Sequence, residues 1–190
     1  GNLLIAASIG ALLRSVYLVE IPFVRFKPML HAHSHVAMLG WLFIALTIFL
    51  LRDETPNGPS RLSRRLLFVA QLAVVAMLFS FPVQGYGSVS IPAASLHLLM
   101  GYALGWRIWV ATKDWAAQGS RLLARIAVVM MAISTIGLWA IGPILANKLF
   151  GSEIYYWSIQ FFLHFQFNGW FWFAAVALWS RWAETHGLAR

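Results

Sequence analysis

Met29-Leu-His31-Ala-His33-Ser-His35-Val-Ala-Met-Leu-Gly40-Trp41-Leu-Phe-Ile-Ala-Leu-Thr47-Ile-Phe-Leu-Leu51 is an apolar run that opens with three histidines. Its length matches the roughly 20 apolar residues an α-helix needs to cross the hydrocarbon of a bilayer. A histidine at such a depth is costly unless something engages it, so the run points to a bound metal or cofactor. A second run repeats the pattern. His164-Phe-Gln-Phe-Asn-Gly169-Trp170, like His35 to Trp41, places Gly-Trp five and six residues after a histidine. His97, followed by Gly101-Tyr102 and Gly105-Trp106, is a looser echo.

The rest of the chain has the same character. It is 61% hydrophobic and 11% charged, against about 25% charged in an ordinary soluble domain. Apolar runs at roughly 2–19, 29–51, 66–81, 90–112, 123–147 and 154–180 predict an all-α fold, a polytopic membrane helix bundle of about six transmembrane helices. Pro22 and Pro28 separate the first two runs, and Pro56, Gly58 and Pro59 mark the loop between the second and third. No soluble domain is left over, so residues 1–190 read as a single transmembrane domain; because position 1 is Gly, it reads equally as a fragment of a longer chain or one half of a larger bundle.

Basic residues orient the bundle. Arg52, Arg61, Arg64, Arg65, Arg107, Lys113, Arg121, Arg125, Arg181 and Arg190 fall after the second and fourth runs and in the C-terminal tail, whereas Arg25, Lys27 and Lys148 fall on the other side. That bias predicts cytoplasmic termini and a multi-pass protein of a bacterial inner membrane. The net charge of +8 sits mostly in these loops, where topology and anionic membrane lipid explain it better than nucleic acid does.

In this topology the second, fourth and sixth runs start at the outer face. A rise of about 1.5 Å per residue puts His35 roughly 9 Å in, His97 about 10 Å and His164 about 15 Å, one layer in the outer half of the membrane. His31 and His35, four residues apart, share a helix face and suit chelation of one metal, while His33 points the other way. His31 and His33 read equally well as interfacial polar residues. A glycine five residues on lies about 140° around an α-helix. There it would admit a neighbouring helix or a flat macrocycle, with Trp41 or Trp170 capping an adjacent surface. Arg14, the basic residue well inside a run, needs an anion, either Glu20 or a carboxylate of a bound group. Gln166 and Asn168 are polar groups expected to face the bundle interior beside His164.

Neutral imidazole is a good ligand for haem iron, copper and zinc. Glu20, Asp53, Glu54, Asp114, Glu153 and Glu184 all lie in loops or tail, which argues against a magnesium, calcium or carboxylate-bridged di-iron site in the spans. The absence of cysteine excludes disulfides, thiolate chemistry and cysteine-ligated iron–sulfur clusters.

The two histidine stretches and the helix pattern resemble the N-terminal half of a haem-copper oxidase catalytic subunit, nearest the nitric oxide reductase branch. The resemblance implies that His35, early in the second helix, ligates a b-type haem, and that His164, in the sixth, ligates a non-haem metal (copper, iron or zinc). His97 would be a supporting ligand, Arg14 a propionate partner and Trp41 a cap on the haem. It also implies a membrane oxidoreductase or electron-transfer subunit of the respiratory chain, with a quinone or cytochrome electron donor. The family carries further histidines on later helices, so oxygen or nitric oxide reduction would need a further transmembrane subunit or second half. His97 has no counterpart in the family pattern. Two other readings stay open: a zinc-dependent membrane hydrolase built on the same histidines, and a non-catalytic structural subunit of a membrane complex.

Overall fold

The computed structural model describes residues 1–188, so Arg190, counted above among the basic residues, lies outside them. It contains six helices among the described residues: α1 (Asn2–Ser15), α2 (Phe26–Leu50), α3 (Arg61–Gln84), α4 (Ser90–Ala111), α5 (Gln118–Ala146) and α6 (Glu153–Thr185). By length and composition α2, α3, α5 and α6 can cross a membrane, as in a multi-pass integral membrane protein. α1 is shorter than expected. Its 14 residues rise about 21 Å, because the chain turns at Val16 to Leu18 before Pro22. α4 holds His97 and Arg107 and does not meet the same hydropathy standard.

Two helices widen inside their apolar runs. Val36–Phe43 of α2 and Phe165–Phe171 of α6 are π-helical, with backbone bonds from residue i to i+5. Each widened stretch starts at the residue after a motif histidine, His35 or His164. Such stretches are rare and concentrate at functional sites.

The described chain divides into two compact units, one of Gly1–Ile48 with Pro59–Leu104, the other of Phe49–Gly58 with the chain from Gly105 onward. In the first, small side chains let α1, α2 and α3 close on one another. Ala6, Ala32, Val36, Val74, Met77, Phe81 and Ala93 form its apolar core. Gly40 is required there: a Cβ would meet Val74 Cγ1 at 2.7 Å and the Asn2 amide at 3.1 Å. Asn2 donates to the Gly40 carbonyl and exchanges two hydrogen bonds with Gln71, 2.7 and 3.1 Å long. These pairings satisfy amides that would cost roughly 2–7 kcal/mol unpartnered in an apolar setting. Arg25 donates to the carbonyls of Pro82 and Val83, closing the negative end of α3.

In the second unit α5 and α6 approach closely at Gly137, where a Cβ would collide with the Ser158 carbonyl, and at Gly169, where it would come 2.7 Å from Met130 Cβ. Ala117 precedes α5 without a capping side chain; Glu184 of α6 accepts from the Ser120 amide and, at 2.6 Å, from its hydroxyl instead. A carboxylate at that end suits the helix dipole. Glu54 pairs with Arg107, and Asp53 with Arg181 at 2.8 Å, whose guanidinium lies 4.1 Å over the Trp115 ring.

Candidate functional site

Three imidazoles of the first unit, those of His31, His35 and His97, sit against aromatic rings. The first turns of α2 carry His31 and His35 on one face, as the four-residue spacing requires. His35 Nδ1 donates to the His31 carbonyl at 2.8 Å. That bond places the proton on Nδ1 and leaves Nε2 with its lone pair, the tautomer that a ligating histidine needs. The His35 ring packs 4.5 Å from Phe81, and His31 lies 4.9 Å edge-on from Tyr86. Phe81 and Tyr86 in turn meet edge to face at 5.1 Å.

His97, on α4, completes the group. It is 3% exposed, its ring stands edge-on to Phe43 at 5.0 Å, and it interacts with the backbone of Leu39. Its Nε2 is buried with no hydrogen-bond partner. A buried imidazole nitrogen without a partner is an uncompensated polar group, and a Lewis acid is one species that would satisfy it. The aromatic neighbours Phe43, Phe81 and Tyr86 escaped the sequence reading. One signal was available: the Phe81 to Gly87 turn lies at the end of α3, on the side where α2 begins.

His33 has a different role. Its Nδ1 donates to the Ala6 carbonyl at 2.9 Å, and its ring lies where a Cβ on Gly10 would touch it at 3.0 Å. It ties α2 to α1 in the manner of a packing residue. Arg14 lies in the last turn of α1 and is exposed, nearer a helix end than the longer helix would have put it. Trp41 is 39% exposed, whereas its repeat counterpart Trp170 is fully buried. The two glycines do match: Gly40 and Gly169 are both close-approach points against a neighbouring helix, which is the first of the two uses the spacing suggested. The 140° offset is altered, because i to i+5 bonding brings the glycine nearer the face of the histidine.

In the second unit His164 is exposed on the surface of the chain and paired with Asn168, Nδ2 to Nδ1 at 3.3 Å. Asn168 is exposed with it, contrary to the interior position expected, because the four-residue spacing puts both on the same outward face of α6. Gln166 behaves as expected; it is buried, and its Oε1 has no hydrogen-bond partner. Within either unit, no three described His, Asp or Glu side chains are grouped to hold a metal ion.

Comparison with protein-family models, with curated proteins and with solved structures gives no match.

Proposed function

We propose that this chain is a haem-binding membrane protein of the haem-copper oxidase type, an electron-transfer or oxidoreductase subunit that works with further transmembrane helices. The observation that carries the reading is the pair of imidazoles in the first unit. His35 has its tautomer fixed by the His31 carbonyl, and His97 has a buried Nε2 without a partner. Both suit ligation by a borderline or soft metal. Phe43 and Phe81, packed on these rings, give the imidazoles an apolar setting.

In this reading His35 would be the principal residue holding the haem and His97 a supporting one. His31 holds the His35 ring in place through its backbone, and its own ring with Tyr86 closes the site toward the helix ends. Arg14, exposed near the end of α1, is the candidate partner for a propionate. His164, held by Asn168 on an exposed face, is the candidate ligand for a non-haem metal completed by another chain. Trp41 remains the candidate cap on the haem. When bound, haem supplies one-electron chemistry and a coordination position for a small gas. The protein's part is to fix the imidazole orientation and keep water from the ring faces. Quinone or a cytochrome is the class of electron donor that fits, and six spans with cytoplasmic termini in a bacterial inner membrane complete the proposal.

The test is an optical spectrum with metal analysis on detergent-purified protein. The expected result is a Soret band that His35→Ala abolishes or shifts and His97→Ala weakens. Protein that stays colourless after haem addition refutes the proposal, and one zinc with no iron would transfer the site to hydrolytic chemistry.

A further inference from the structure

Arg61, Arg64, Arg65 and Phe68, in the first two turns of α3, line a groove of about 450 Å³. All three arginines are exposed, and none is in an ion pair among the described residues. Their position opposes the local electrostatics, since a helix N-terminus already carries partial positive charge. An anion seated among them offsets both. Depth identifies which kind. Leu66 to Gln84 rises about 28 Å, close to the roughly 30 Å hydrocarbon thickness, so the arginine turn stands at headgroup level. Phe68, 63% exposed, lies one turn deeper beside the acyl chains.

We infer that this groove binds an anionic phospholipid, its phosphate held by the guanidinium groups of Arg61, Arg64 and Arg65 and an acyl chain laid against Phe68. Guanidinium forks match phosphate oxygens two at a time. The groove is lined by no carboxylate, so it has nothing to receive the cationic end of a zwitterionic lipid. Phosphatidylglycerol is therefore preferred over phosphatidylcholine.

The test is native mass spectrometry of the full chain in detergent, titrated separately with phosphatidylglycerol and phosphatidylcholine. Retention of one phosphatidylglycerol per chain is expected, falling at least about tenfold in Arg61→Gln/Arg64→Gln/Arg65→Gln. A control pair, Lys113→Gln/Arg121→Gln, should stay within about twofold of the parent because neither residue lines the groove. Far-UV circular dichroism checks the fold; if the triple variant loses helix, Arg64→Gln alone is read, with about a threefold loss expected. Undiminished retention in the folded arginine variant overturns the inference, as does equal retention of phosphatidylcholine. Displacement of the lipid by soluble glycerol phosphate would also overturn it, by making the groove a site for free phosphate.

Discussion

Alanine at Gly137 should loosen the second unit by a calculable amount. The new Cβ would overlap the Ser158 carbonyl oxygen and lie 3.0 Å from the Phe162 amide nitrogen and 3.3 Å from Phe162 Cβ. The first two are backbone atoms and the third is fixed to backbone, so no rotamer change relieves the clash and α5 must part from α6. Overpacking of this kind costs about 1–3 kcal/mol, and the rigid neighbours put this case at the upper end. The better helix propensity of alanine returns up to about 1 kcal/mol, leaving a net loss of about 2 kcal/mol. For a chain of this size that lowers the melting temperature by about 4–8 °C, read by tryptophan fluorescence or circular dichroism in detergent. Gly105→Ala is the comparator. Its Cβ would come 2.7 Å from Met131 Cε, the far end of a flexible side chain, and melting should move by no more than about 2 °C. Equal melting of Gly137→Ala and the parent would refute the reasoning.

Three other substitutions probe the polar ties. Asn2→Leu strands Gln71 and frees the Gly40 carbonyl, so a loss of about 1–3 kcal/mol is expected, mostly recovered in Asn2→Leu/Gln71→Leu; thermal melting of the three variants measures it. Glu54→Ala takes the carboxylate from Arg107, whose side chain is 27% exposed, and should cost about 1–3 kcal/mol after allowance for that exposure. A double-mutant cycle with Arg107→Ala isolates the pair. His33→Ala removes one hydrogen bond to the Ala6 carbonyl, worth about 1 kcal/mol; it should lower the melting point slightly and leave any Soret band unchanged.

All six helices were legible as apolar runs punctuated by proline, glycine and charge, since hydropathy acts over a whole helix and tolerates local exceptions. The sequence overextends α1 because Val16 to Val19 is as apolar as the helix before it, and only the turn at Val16 to Leu18 distinguishes them. The direction in which each side chain leaves its helix was only partly legible. A rise of fixed size per residue needs only a helix start, whereas azimuth accumulates every departure from regular winding. The spacing puts His164 and Asn168 on one face and Gln166 on the opposite one, but nothing in the sequence says which of the two faces meets α5. Asn2 and Gln71 are isolated amides in apolar runs, a pattern that itself signals a buried pairing. His33 could not be told from its neighbours until the Ala6 carbonyl was seen beside it.

A widened stretch holds more residues than a regular helix of the same height would. Deleting one amino acid from Val36–Phe43 would let α2 tighten to regular winding with its two ends close to their present bearings, whereas the same deletion in the regular turns that follow would swing the rest by about 100°. His35 and the buried Thr47 and Leu50 would keep their faces. The surplus residue thus acts as slack, loosening the backbone beside His35 without unseating either end of α2.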